Sequence, residues 1–507
     1  MASSAPTAYG PSWYAATMVA APRRAPLNVE LDVDVCVIGG GLAGLTAARE
    51  VARRGWSVVL LEARRIAWNA SGTNTGFVLP GFAADPASLI ARVGLDHAKS
   101  LWALSEAGAE YVRTTIRETQ MPGAQLNENG WLHVSKTGCD AEIKEQAALL
   151  AISFGAAVEH WPAERVRAAL RSPLYFSAVN FPRAFTMHSL NYALGLAAAA
   201  EAAGARIFEE TPALELDPAG VRKRIVTPSA RVRAAHVVLA GNVHIGPLMP
   251  RVGGALVPIS PYVIATAKLG DALREAISYP GAVSDTELAN NHYRVVDGDR
   301  LMWSGHSTTW RGDPSRYVDA LLGDIARAYP QLRNVKAEFA WTGTLGHALH
   351  RMPQVGELSP GLWLLSGFGG HGLNTTAMGG ELVARGIVEG DQTWRLFAPF
   401  DLVWAGGTLG RAAAQAYTWY FAMRERFDGW RARRREGERP PAPEQQAGPT
   451  APPVVPTADA EPAPSPPKAK RVRKRSKASQ TVTIPAAATS DGSASPAAAG
   501  DPPADRG

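Results

Sequence analysis

Two features of the chain can do specific chemistry together: the turn Gly39-Gly40-Gly41-Leu42-Ala43-Gly44 and an acid, Glu62, 21 residues after Gly41. The turn supplies G-x-G-x-x-G. Gly39 permits a tight reversal, Gly41 lets backbone approach a pyrophosphate, and Gly44 lets a helix pack against a strand. A helix opening there offers free N–H groups and a positive dipole end to phosphate. A carboxylate at Glu62 can accept both hydroxyls of a ribose, and it disfavours a 2′-phosphate because two negative groups would meet.

Such a turn binds a dinucleotide only if a strand feeds it and a helix follows it; otherwise it is a glycine turn that merely packs. Asp32–Ile38 (DVDVCVI) is a β-branched run ending in the glycines. Leu42–Arg54 repeats apolar residues at helical spacing and stops at Gly55, and Ser57–Leu61 (SVVLL) is a second buried strand ending at Glu62. The three make a βαβ opening. Further on, Ser189–Ala203 is an alanine-rich helix, Arg206–Glu209 begins a strand, and His236–Ala240 runs into Gly241-Asn242. Near the other end, the strand around Trp363–Ser366 enters Gly367-Phe368-Gly369-Gly370-His371-Gly372 and a helix to about Arg385. This repeats the helix N-terminus device.

The segment from Glu62 to Gly76 (EARRIAWNASGTNTG) resembles the glycine-rich loop of the D-amino-acid-oxidase-like flavoenzymes, closest to their gamma-glutamylputrescine oxidoreductase branch. The block Gly369–Gly372 is similar to that family's G-x-x-G-H-G motif, and the likeness extends to the Ser12–Ala16 arm, to Trp341–Gly356 and to Trp419-Tyr420. It spans about 85% of the chain by the motif positions. Ala67 and Asn69 stand where glycines are usual, Asn69 being the milder change because Asn tolerates positive φ. Thr73 replaces an arginine.

The resemblance implies FAD, with Gly39, Gly41, Gly44, Glu62, Ser71, Gly72, Asn74, Gly76, Ala213, Gly369, His371 and Gly372 as cofactor-binding positions. It implies an α/β fold, α+β overall: a Rossmann-like FAD-binding domain of the glutathione-reductase type and an interleaved, mostly antiparallel substrate domain. The expected division is an N-terminal arm (1–29), a discontinuous FAD domain (30–92, 185–250, 338–392), a substrate domain (93–184, 251–337), a C-terminal wrap (393–430) and a tail (431–507).

The chemistry implied is oxidation of a C–H beside a neutral amine, a hydride equivalent passing to the flavin and the imine being hydrolysed by water. The cofactor carries that reaction, so no triad is required of the protein. Tyr293 and then His306 are the candidates to line the substrate cavity, although an aromatic in a strand is more often core. His371 is a candidate acid or base; a histidine hydrogen-bonded to its own glycine loop is the favoured reading. Relatives that tether the ring use a cysteine in the C-terminal half or a histidine in the loop after the second strand. Here the two cysteines are Cys36 and Cys139, and Ala70–Gly76 has no histidine, so the FAD is expected to be noncovalent.

In the amino-acid-oxidising relatives an arginine follows Trp-x-Gly and grips the substrate α-carboxylate. In Trp341-Thr342-Gly343-Thr344-Leu345-Gly346-His347 no arginine occurs; Arg351-Met352-Pro353 instead matches the Arg-x-Pro of the polyamine branch. An unpaired carboxylate in an apolar pocket costs on the order of a few kcal/mol, so a primary or secondary amine, of polyamine or gamma-glutamyl-polyamine type, is expected unless Arg294 reaches the pocket. The alternatives are an amino-acid or 2-hydroxy-acid dehydrogenase, and a non-catalytic FAD-stabilised interaction protein. The electron acceptor, O2 or another, stays open.

The 507 residues suffice for two domains, and 46% of them are hydrophobic. Two cysteines make no disulfide framework and no metal site. The absence of a leader and of a long apolar run gives no transmembrane segment and a cytoplasmic expectation. Fifteen of the 38 prolines lie between Pro440 and Pro503, and the chain through Gly437 carries +4 of the net +6. The Pro/Ala-rich tail is expected to be disordered. Its basic cluster, Lys468–Lys477 (KAKRVRKRSK), lacks the aromatic interleaving of a stacking surface, so no specific nucleic acid is predicted.

Overall fold

The first strand, Leu31–Ile38, is buried along its C-terminal half and lies parallel between Arg231–Leu239 and Val58–Leu61. A strand covered on both faces reads as a nearly continuous apolar run, which is why VDVCVI was legible. In the computed structural model, which describes residues 9–286 and 291–437, this strand is central to an eight-stranded sheet. The order is Gln354–Ser359, Leu362–Ser366, Arg231–Leu239, Leu31–Ile38, Val58–Leu61, Arg206–Phe208, with Glu215–Asp217 and Lys223–Val226 meandering off Arg231–Leu239. Only the edge strand Gln354–Ser359 and the meander are antiparallel.

Helices Leu42–Arg53, Ser189–Ala202 and Gly372–Val388 cover one face, their side chains joining Val35, Val37 and Leu60 in one core. Helices Leu42–Arg53 and Gly372–Val388 meet at small residues: a Cβ on Gly380 would lie 2.6 Å from Thr46 Cβ. The other face buries Cys36, Ile38, Val59, Val237 and Leu239.

A second, nine-stranded sheet runs Ala337–Thr342, Val257–Thr266, Arg300–Thr308, His292–Val296, Ala282–Asp285, Trp131–Val134, Ala178–Phe181, Glu159–Trp161, with Leu345–His347 added to Val257–Thr266. It is antiparallel except where Ala282–Asp285 runs parallel to Trp131–Val134. Helix Val318–Ala328 covers one face over a core of Tyr175, Tyr262, Tyr293, Trp303 and Tyr329. The α/β architecture with a mostly antiparallel second sheet is therefore observed.

Several boundaries differ from those expected. Strand Ala337–Thr342 belongs to the second sheet, so a division at 338 cuts an element. Helix Leu95–Glu118, placed by sequence with the second sheet, packs on Gly372–Val388, where a Cβ on Gly108 would come within 2.3 Å of Asn374 O. The last helix, Gly407–Gly437, runs past 430 into what was expected to be tail. The rest of that tail and its basic cluster lie outside the described residues.

Candidate active site

At the C-terminal ends of the parallel strands, Gly39 has φ +119° and any Cβ on it would sit 2.7 Å from Ala240 C. A Cβ on Gly44 would lie 2.0 Å from Gly39 O, so the helix starting at Leu42 rests directly on the turn. Its N-cap is Gly41, which has no side chain to close the N-terminus. Glu62 lies beside this turn and is buried. Its Oε2 accepts from Gly40 N–H (2.7 Å) and Oε1 from Arg64 N–H (2.8 Å). Burial pushes its carboxyl up to about 7, against the two N–H donors.

The following loop is folded by its own small residues. Ser71 Oγ accepts from Leu42 N–H (3.1 Å), placing the hydroxyl at the helix N-terminus. A Cβ on Gly72 would clash with Ala67 O at 2.3 Å, and one on Gly76 (φ +80°) with Met187 O at 2.3 Å. Asn74 donates to Ala70 O and Ser71 O and accepts from Gly76 N–H and Ser189 Oγ, which fixes the loop's exit. Asn69 has φ −108°; the left-handed residue is Ala67, at φ +57°. Asn69 instead ties the loop to the Trp341–His347 segment, its amide exchanging hydrogen bonds with the Thr344 backbone (2.9 and 3.2 Å). Trp341 Nε1 donates to Thr73 O (2.8 Å).

This loop forms one wall of a cavity of about 990 Å³. Thr73 and Asn74 line it from the loop, Gly343, Leu345 and His347 from the Trp341–His347 segment, Gly370 and His371 from the turn before helix Gly372–Val388, and Tyr417 and Thr418 from the last helix. Opposite lies the open face of the second sheet. There His133, Ser284, His292 and Ser304 occupy consecutive register positions on four adjacent strands and form a polar row facing the cavity. His133 Nδ1 lies 3.0 Å from Ser284 Oγ. Burial drives His133, His347 and His371 down to about 4 and lowers His292 as well, so all four imidazoles are neutral at pH 7. Among the described residues, the charged members of the lining are Asp85, Glu142 and Arg351, all exposed and at its margin.

A family model described as FAD dependent oxidoreductase matches residues 34–385. The chain belongs to that family. Gamma-glutamylputrescine oxidoreductase of Escherichia coli is 30% identical over 435 residues, covering 83% of this chain and 99% of its own. A probable oxidoreductase of Haemophilus influenzae is 27% identical over 79% of this chain and 94% of its own. The fold is shared with solved structures, among them glycine oxidase from Geobacillus kaustophilus (TM-score 0.62, 22% identity, covering 74% of this chain and 99% of that one). The protein is thus a flavoenzyme, an FAD-dependent oxidoreductase.

The residues of this flavoenzyme fit its cofactor. The side-chain-free N-cap, the two backbone approaches at Gly39 and Gly44 that a Cβ would obstruct, and Glu62 at the strand tip make a nucleotide cradle. At the far end, helix Gly372–Val388 begins at the cavity with no side-chain hydrogen bond at its cap residue His371. Gly369, at φ +58°, packs its Cα against His347, whose Nδ1 would be 3.0 Å from a Cβ.

Three expectations are corrected. Tyr293 faces away from the cavity: strand parity puts it under Trp303 (centroids 4.2 Å) with its hydroxyl on Tyr329 (2.8 Å). His306 has the parity of Ser304 but is a bulge residue at φ +50°, where the pairing with Val257–Thr266 shifts register, and its ring turns to Asp324 (2.8 Å). A bulge re-aims a side chain in this way. His371 is at the cavity, yet among the described residues its imidazole makes no hydrogen bond to its own loop. Ala213 packs beside the first sheet with Val59 and Leu61 and does not line this cavity. Arg294 is also accounted for: buried, it donates to Thr186 Oγ1, Met187 O and Tyr14 OH, pinning the N-terminal arm.

Sequence reasoning missed His133, Ser284, His292, Ser304 and His347. His292 adjoins Tyr293 and Ser304 lies two residues before His306, but choosing the aromatic Tyr293 pointed to the opposite face of its strand.

Proposed function

We propose that this flavoenzyme oxidises the C–N bond of a primary or secondary amine, of polyamine or gamma-glutamyl-polyamine type, to an imine that water hydrolyses to an aldehyde. The observation that carries the reading is the cavity's interior, which among the described residues holds neutral imidazoles, hydroxyls and apolar walls and no guanidinium, Arg294 being committed elsewhere. An α-carboxylate brought to this floor would stay unpaired at a cost on the order of 2 kcal/mol or more. An amine entering as its free base finds acceptors in the His133–Ser284–His292–Ser304 row, and among the described residues no carboxylate lines the cavity beside that row, which favours the neutral nitrogen that oxidation requires.

Gly39, Gly41, Gly44 and Ser71 would hold the FAD pyrophosphate, and Glu62 the adenosine ribose. The N-terminus of Gly372–Val388 would face the flavin pyrimidine. FAD, when bound, would supply the acceptor for the hydride equivalent leaving the carbon beside nitrogen. The protein's part is to align that carbon, keep water away from it and carry off the N–H proton through the polar row. Asp85 and Glu142 at the margin attract a polycation. Arg351, also at the margin, suits a carboxylate remote from the reacting carbon, as a gamma-glutamyl group has.

Steady-state kinetics with gamma-glutamylputrescine, putrescine, sarcosine and D-alanine tests this. A kcat/KM for either amino acid above both amines overturns it. Arg351→Gln is expected to lower kcat/KM for gamma-glutamylputrescine by about tenfold, one charge-assisted contact, while leaving putrescine nearly unchanged.

A further inference from the structure

Helix Gly407–Gly437 packs on the protein by its polar side and shows its aromatic side to solvent, the reverse of an ordinary surface helix. The inward side holds Gln415, buried, whose Oε1 accepts from Thr309 N–H (2.8 Å), and the Arg411 carbonyl, which accepts from Thr309 Oγ1 (3.2 Å). At 3.6 residues per turn, Leu409, Tyr420, Met423, Phe427 and Trp430 fall on one stripe roughly 60–140° round the helix from Gln415. They are 82%, 54%, 67%, 51% and 49% exposed, and Trp404, just before the helix, is 73% exposed.

Arginines are interleaved with this stripe. Arg431 lies 4.6 Å from the Phe427 ring centre, Arg434 5.3 Å from Trp430, and Arg424 5.9 Å from Phe421. From Gly407 to Gly437 the sequence has seven arginines and three acids, so the helix is strongly cationic. Of the acids, Asp428 is paired with Arg424 and Glu425 is half-buried.

We propose that this helix docks the protein on an anionic lipid bilayer, lying in the headgroup plane with its aromatic stripe inserted. Trp, Tyr and Phe beside arginine are the composition of an interfacial helix. Among the described residues no helix is long and apolar enough to cross a membrane, so the contact is with the surface. Charge decides between occupants: stripe-to-stripe pairing of two copies would oppose the same arginines, whereas an anionic leaflet neutralises them. Stable attachment by an interfacial device needs a second signal, and the sequence beyond Gly437 holds one in Lys468–Lys477, seven positive charges and no negative one. Ala414, Tyr417 and Thr418 of the same helix line the cavity, so docking sets the cavity's edge beside the bilayer.

The test uses the full-length, flavin-loaded protein sedimented with vesicles of phosphatidylcholine alone or mixed with phosphatidylglycerol. Binding to the mixed vesicles is expected to be stronger by about tenfold or more and to weaken with salt. The triple variant Tyr420→Ser, Phe427→Ser, Trp430→Ser should bind about tenfold less, and Arg424→Gln, Arg431→Gln, Arg434→Gln should lose the anionic preference, both keeping the parental flavin absorbance. Absence of vesicle binding by the parent overturns the proposal. So does binding unchanged in both variants, which would assign the contact to the tail, or concentration-dependent self-association abolished by the aromatic variant without vesicle binding.

Discussion

Replacing Gly44 by alanine adds one methyl group where the structure has least room for it. The Cβ would stand 2.0 Å from Gly39 O, 3.1 Å from Val37 Cγ1 and 3.2 Å from Ala240 Cβ. The closest of these atoms is backbone in a turn already held at φ +119°, so no rotamer change relieves the clash. The N-terminus of helix Leu42–Arg53 must withdraw by about 1 Å, and overpacking of this kind costs about 1–3 kcal/mol. The same withdrawal lengthens the helix N–H contacts to a bound pyrophosphate. Two such charge-assisted bonds, at about 1.5 kcal/mol each, amount to about 3 kcal/mol, or about a hundredfold in affinity. The assay is flavin-to-protein stoichiometry after purification, followed by fluorescence titration of flavin-depleted protein with FAD. Gly10→Ala, where a Cβ meets nothing within 4 Å, is the control and should match the parent. A Gly44→Ala protein with the parental FAD affinity would refute the claim that this turn carries the pyrophosphate.

Tyr293→Phe and His306→Gln should leave kcat/KM for the preferred amine nearly unchanged, because neither ring reaches the cavity; Tyr293→Phe should lower stability by about 1 kcal/mol through loss of its bond to Tyr329, and a large fall in kcat/KM at full flavin content would restore it to the cavity. For the buried histidines the folded pKa is below the unfolded value. Stability should therefore be fully developed above about pH 6.5 and fall as the pH drops towards 4, where the unfolded chain takes up protons the folded imidazoles refuse; a urea midpoint that is flat over this window contradicts their burial. The kcat/KM profile should correspondingly show no limb from His371 between pH 5.5 and 7.5, and a limb there that disappears in His371→Gln would reverse the assignment of a neutral ring. Acid precipitation should leave the yellow chromophore in the supernatant, since Cys36 is buried within the first strand and neither it nor Cys139 lines the cavity; colour in the pellet would mean a covalent link.

The nucleotide end could be read from the sequence because its determinants are local. Gly39, Gly41, Gly44 and Glu62 lie within one βαβ unit, and two of the loop glycines are required by backbone that is itself nearby in the chain, Gly44 by Gly39 O and Gly72 by Ala67 O, whereas Gly39 also abuts Ala240 on a distant strand. The exception at Ala67 was also local but could not be foreseen, since a strained φ of +57° on alanine is imposed by surroundings rather than announced by residue type.

The cavity floor is a different case, because it is built from register. His133, Ser284, His292 and Ser304 come from four strands spread over more than 170 residues, and they meet only because each pairs with the next on one face. A strand buried on both sides gives no alternation to show which parity faces the cofactor, so Tyr293, conspicuous by type, was chosen over its neighbour His292. His306 shows the second limit: its parity was right, and one bulge opposite Ser260 and Tyr262 turned it onto Asp324. What decides the chemistry here is thus carried by pairing between distant strands, and the polar row it assembles is uncharged because the same pairing buries every imidazole in it. A substitution that recharges the floor without moving the backbone, Ser304→Asp, isolates this point. It would hold the substrate nitrogen as an ammonium, so kcat/KM should fall by tenfold or more at pH 7, as expected for a perturbation of at least about 1.4 kcal/mol, and recover towards high pH. A parental pH profile in that variant would mean the row does not face the reacting amine.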